Sequence, residues 1–150
     1  MLFQILVILH TLGATVWVGG HLILAVSILP KALKHQEPTL IQDFESNFES
    51  FGLTALLLQV ITGLGLAWIY VPDVRTFLQF DSYLSTYIAI KLGLLLLTLG
   101  LAIHARIFII PKLTKETLIY LAYHRIWITI LAVTFVIMGA GIRVGGFALT

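Results

Sequence analysis

Four runs of apolar residues, each long enough to cross a lipid bilayer, take up most of this 150-residue chain. A helix needs about 20 predominantly apolar residues to span the hydrocarbon core. The first run extends from Leu2 to Leu29 and is expected to stop at Pro30. The second (residues 40–71) opens after Pro38-Thr39. It is amphipathic through Phe44 and Phe48, becomes fully apolar from Phe51 to Val71, and ends at Pro72-Asp73. The third runs from Tyr83 to Ile110 and is closed by Pro111. The fourth starts near Thr114, a residue type that caps helices, and continues to Gly145. Prolines just past helix ends are stop signals. The expected fold is therefore all-α: one domain forming an up-down-up-down, integral membrane four-helix bundle.

Composition narrows the chemistry. With 59% hydrophobic and 11% charged residues, a soluble domain could not hide the apolar surface. The absence of cysteine excludes disulfides, thiolate metal sites, iron–sulfur clusters and haem attached through Cys. The first run lacks a basic leading region and a small-residue cleavage site, so it is expected to be retained rather than removed as a signal peptide. The net charge of +2 comes from cations near helix ends and reads as a topology signal, not as a nucleic-acid footprint. Lys31, Lys34, Arg106, Lys112, Lys115 and Arg125 fall on the side of the first and third loops. Arg75 and Arg143 fall opposite, and Lys91 lies within a helix. The bias places the first and third loops in the cytoplasm and both termini outside it. Tyr and Trp residues near helix ends (Trp68, Tyr83, Tyr120, Tyr123, Trp127) fit interfacial belts. Glycines in every run suit close helix packing.

Against this background, ionisable residues inside the runs mark function, because burying them in hydrocarbon is costly. His10 and His21 lie in the first run, Glu45 and Glu49 open the second, His104 is in the third and His124 in the fourth. Depth can be counted from the turns. His104 and His124 each lie ten residues from Thr114, and antiparallel helices bring such positions to one level. His21 lies nine residues before Pro30, and Glu45 and Glu49 six and ten after Thr39. Glu45 and Glu49, spaced i,i+4, share a helix face. His21, Glu45, Glu49, His104 and His124 are thus expected to converge as a metal site, the way bundle sites are built from facing helices. Each also has a plainer reading: hydrogen-bonded packing for a histidine, a solvated helix start for the carboxylates. Imidazole with carboxylate suits Cu(II), Zn(II) or iron better than Cu(I). The competing cofactor is haem b, held by His21 with His104 or His124.

A second set lies toward the other face. His10 and Lys91 sit at similar depths on parallel helices, and Trp17 is two turns from His10. Lys91 either joins His10 or snorkels outward. Gln59, near mid-membrane, is expected to hydrogen-bond between helices, and Arg143 either joins these polar groups or anchors the interface.

The runs LHTLGATVWVGGHLILAVSILPKAL, FESFGLTALLLQVITGLGLAWI, IAIKLGLLLLTLGLAIHARIFIIPKL and AYHRIWITILAVTFVIMGAGIRVGGF together resemble the CopD copper-resistance superfamily, in its short four-helix form. The resemblance covers nearly the whole chain. It implies a bacterial inner-membrane location and copper handling, and it carries over His10, Trp17, His21, Lys91, His104 and His124 as motif positions. The superfamily is also similar to the protoporphyrinogen oxidase HemJ, which binds haem b and in which a first-helix His and a third-helix Lys are important. Those positions match His10 and Lys91. The Arg-Leu-x-Val-Tyr-His run that follows the first helix in HemJ-type proteins is not present. Three roles are therefore expected to compete: copper or other metal handling, a haem b oxidoreductase, and a non-catalytic subunit of a larger membrane complex. A bundle this thin also suits a homodimer.

Overall fold

The computed structural model describes residues 1–73, 75–76, 79–80 and 82–147. Among them the chain forms four membrane-spanning helices: α1 (Leu2–His35), α2 (Thr39–Tyr70), α3 (Tyr83–Lys112) and α4 (Leu118–Val144). The all-α multi-pass bundle expected from the apolar runs is the observed fold. Helix α1 is the hub, packing against both α2 and α4, while α3 packs against α4. One end of the bundle carries the α1–α2 and α3–α4 turns and most of the lysines. The other carries both termini and the α2–α3 connection.

Two boundaries differ from the sequence expectation, one at a proline and one at a threonine turn. Helix α1 does not stop at Pro30 but continues to His35, where Gln36 takes a left-handed conformation (φ 53°). A proline inside a helix cannot donate to the carbonyl four residues back, and its ring crowds that carbonyl. The chain answers by widening one turn. Leu24–Ile28 is π-helical, with Leu29 N–H donating to Leu24 O. The same device precedes Pro111: Ala105–Ile109 is π-helical, with Ile110 N–H donating to Ala105 O, and α3 ends just beyond it. The second difference is that α4 begins at Leu118 rather than Thr114. The Thr117 hydroxyl donates to Lys112 O (2.8 Å) and accepts from Thr114 N–H (2.8 Å), so residues 114–117 are spent on a turn. The far end matches expectation, with Gly145 (φ 86°) closing α4 in the left-handed conformation that favours glycine.

Most apolar side chains face outward. Leu96 (71% exposed), Val26 (74%) and Leu57 (61%) are typical, as suits helices solvated by lipid. Tyr120, Tyr123, Trp68 and Trp127 are exposed too. The interior is small: one cluster of Leu24, Leu29, Ala32, Ile41 and Leu121 at the lysine-rich end, and another of Trp17, Val18, Ala55 and Ala132 at mid-depth.

Glycine serves close approach at some positions but not all. The Phe48 ring of α2 occupies the space a Cβ on Gly20 would need. Gly63 leaves room for the His10 ring, whose Cε1 would lie 3.1 Å from a Cβ there. Gly19, Gly93 and Gly100 meet nothing within 4 Å, so the packing role expected of every glycine does not extend to them. Gly20→Ala is accordingly expected to cost roughly 1–3 kcal/mol, the usual range for overpacking. Gly100→Ala should be neutral or slightly stabilising, since alanine favours helix. Unfolding in mixed detergent micelles distinguishes the two.

Candidate functional site

Two cavities lie inside the bundle, and the residues singled out by sequence divide between them. The first, of about 370 Å³, occupies the half nearer the termini and is lined by all four helices. His10, Trp17, Gln59, Tyr70, Lys91 and Arg143 supply its polar and aromatic wall, and the rest is mainly aliphatic. His10 and Lys91, expected to share a level, thus line one cavity.

His10 is held by α2 from two sides. Its Nδ1 lies 2.9 Å from Thr62 Oγ1, and Gln59 Nε2 donates to its backbone carbonyl. Gln59 thus makes the interhelical bond expected of it. The hydroxyl of Thr62 has one proton, and its shortest contact is to Leu58 O at 2.6 Å. Thr62 therefore donates to its own helix and accepts from His10 Nδ1–H. That fixes the imidazole tautomer and leaves Nε2 with a free lone pair. Lys91 is partly buried, its ammonium packed toward Gly139 of α4, where it would lie 3.6 Å from a Cβ. Among the described residues neither Lys91 nor Arg143 has an acidic partner.

The second cavity, of about 210 Å³, lies toward the lysine-rich end. It is bordered by His21, Glu45, Glu49, Arg106 and Arg125, and shares Trp17, Leu56 and Thr98 with the first. Trp17 is only 8% exposed and stands edge-on to the His21 ring, with centroids 4.8 Å apart. Glu45 pairs with Arg125, and Glu49 with Arg106. The first pair is the buried one, with side chains 22% and 12% exposed against 41% and 66% for Glu49 and Arg106.

The five residues expected at one metal site are not gathered there. Among the described residues, no three His, Asp or Glu side chains come together as a ligand cluster. His21, Glu45 and Glu49 border the second cavity, and both carboxylates are engaged by guanidinium groups. His104 and His124 pair with each other instead, ring centroids 5.9 Å apart, and His124 Nε2 lies 3.0 Å from Leu101 O. Neither lines the second cavity. Equal depth did not mean equal direction. On α4 the buried residues Leu121, Ala122, Ile128, Thr129 and Ala132 form a stripe that the largely covered Arg125 joins, so His124 points about 100° away from it. On α3 the inward positions include Thr98 and Ala105, seven apart, and His104 is again one residue off.

Arg125 is the residue that counting missed. Read in sequence as a topology cation, it lies inside the bundle. Its place in the i, i+3, i+4, i+7 apolar stripe of α4 was the available signal.

Comparison with protein-family models, with curated proteins and with solved structures finds no match to this chain.

The two ion pairs should behave differently when broken. Arg125→Ala leaves a buried carboxylate uncompensated and is expected to cost about 3–5 kcal/mol. Combining it with Glu45→Gln should recover a large part of that loss. Arg106→Ala, at an exposed pair, should cost below about 1 kcal/mol. A double-mutant cycle on thermal unfolding in detergent measures both.

Proposed function

We propose that this protein binds haem b, or a closely related carboxylated porphyrin, in the first cavity and serves in redox chemistry within the membrane. The observation that carries this reading is the joint presence, on one largely apolar cavity, of a histidine whose Nδ1 is engaged by Thr62 and a partly buried lysine without an acidic partner, with the exposed Arg143 at the cavity's end. A cation left unpaired in low dielectric favours an anionic ligand. An apolar wall with a few convergent polar groups is the usual character of a cofactor site, and about 370 Å³ falls in the range of such sites.

These donors fit the group: His10 would hold the iron, and Lys91 and Arg143 would pair with its carboxylates. Bound haem would supply one-electron transfer. The chain itself supplies orientation through Thr62 and Gln59, charge neutralisation through Lys91 and Arg143, and an aromatic boundary at Trp17. The resemblance to HemJ, which carries over His10 and Lys91, supports the same assignment. The CopD resemblance and the lysine bias support a bacterial inner membrane with both termini outside the cytoplasm.

A second reading, copper or another transition metal, is favoured by one observation, the facing His104 and His124 rings between α3 and α4. Two imidazoles form the start of a Cu(II) or Zn(II) site, and the copper expected from the CopD resemblance would bind there. Loss of Cu(II) binding in His104→Ala, measured by equilibrium dialysis, would support it.

For the haem reading, protein purified from haem-supplemented cells should show a Soret band and b-type reduced peaks. His10→Ala should abolish them. Thr62→Val, which removes the partner of Nδ1, should weaken haem binding about 10–100-fold, as loss of an orienting hydrogen bond does at metal sites. Lys91→Ala should weaken it by a similar factor, as expected when a charged hydrogen bond is lost. A colourless wild-type preparation overturns the proposal.

A further inference from the structure

The second cavity contains groups that cofactor binding does not use, and two of its buried polar atoms have no partner. Thr98 is 2% exposed, yet its hydroxyl makes no hydrogen bond. Elsewhere in these helices threonine returns its proton to the carbonyl four residues back, as Thr15, Thr54, Thr62 and Thr134 do. Thr98 departs from that habit where the two cavities meet. Arg125 Nε is likewise buried and unpartnered among the described residues, on the wall of the second cavity. Leaving such groups unsatisfied in hydrocarbon is costly. Water relieves the cost where a cavity is roomy and offers two to four polar partners per molecule. At about 30 Å³ per molecule, 210 Å³ holds about seven waters.

We propose that the second cavity holds a chain of water molecules that carries protons between the lysine-rich end of the bundle and the floor of the first cavity. Glu49 and Arg106 stand at its exposed mouth, Glu45 and Arg125 deeper, then His21, and Thr98, shared with the first cavity, at the inner end. His21 is the relay. Its ring has no hydrogen-bond partner among the described residues, so it takes a proton on one nitrogen and releases one from the other. The charged groups around it are Arg125 from α4, Glu45 and Glu49 from α2, and Arg106 from α3. Two are acidic and two basic, and they are joined as the Glu45–Arg125 and Glu49–Arg106 pairs. A cofactor that changes its electron count in hydrocarbon builds up charge, and a proton arriving by this route offsets it. The water chain stands independently of what fills the first cavity, whereas delivery of protons to a redox cofactor rests on the haem reading.

The chain has no cysteine, so single cysteines report hydration directly. A thiol reacts as its thiolate, which needs water. In sided membrane vesicles, Thr98→Cys and Ala105→Cys should react with a membrane-impermeant methanethiosulfonate added at the lysine-rich face. The rate should be at least tenfold that of Leu96→Cys, a lipid-facing position on the same helix. Ala105→Cys keeps the test alive should Thr98→Cys fold poorly. Rates no faster than Leu96→Cys, or reaction only from the opposite face, overturn the water chain. Labelling without a Soret band would leave the water chain standing and sink only the haem reading. In haem-loaded protein, His21→Phe should leave the Soret band in place. It should slow reduction by a quinol about tenfold and flatten its pH profile. An unchanged rate and profile overturn the proton route.

Discussion

Hydrocarbon surrounds this chain, and hydrocarbon does not drive apolar helices together as water does. Association has to come from close contact and from polar groups that prefer a protein partner to lipid. Helices α1 and α2 supply the first, through the Phe48 ring seated on Gly20 and the His10 ring against Gly63. The second is spread over a few interhelical bonds: Gln59 to the His10 carbonyl, Thr62 to His10 Nδ1, Thr129 to His21 O, and the Glu45–Arg125 pair. Every one of these borders a cavity or touches a residue that does. The groups that hold the bundle together are therefore also the groups that shape its interior, and replacing them disturbs stability and site at once.

Glu45–Arg125 shows how much one such bond settles. It joins α2 to α4, which both flank α1, and so ties the two neighbours of the hub to each other. At its level Glu49–Arg106 joins α2 to α3. The α2–α3 side, where direct packing is sparse, is thereby linked at the lysine-rich end. Nearer the termini the first cavity lies between the same two helices.

Sequence made the four helices, their approximate ends and the depth of each ionisable group readable, because length and hydropathy report position along the membrane normal. It did not make direction readable. His124 and Arg125 differ by one residue, and only the stripe of Leu121, Ile128, Thr129 and Ala132 shows that Arg125 is the one facing in. Counting from turns treated level as proximity, which gathered His104 and His124 with His21 although they face another way. Pro30 misled for a related reason. Proline forbids one hydrogen bond, not a helix, and a π-turn absorbs the loss. The interhelical bond of Gln59 was legible because a single polar residue at mid-membrane has few partners to choose from.

The two cavities differ most in charge, and that difference decides what each can accept. Around the second, two carboxylates face two guanidinium groups, so the fixed charges cancel and the cavity suits neutral molecules that bridge polar atoms. Around the first, neither the partly buried Lys91 nor the exposed Arg143 has an acidic counterpart among the described residues, so its fixed charge is positive. Trp17 stands between them, apolar in bulk and packed against both His21 and Phe135. A bulky aromatic divider at that point separates the two cavities, while Thr98, which lines both, offers a small polar contact. A proton needs no more than such a contact to pass.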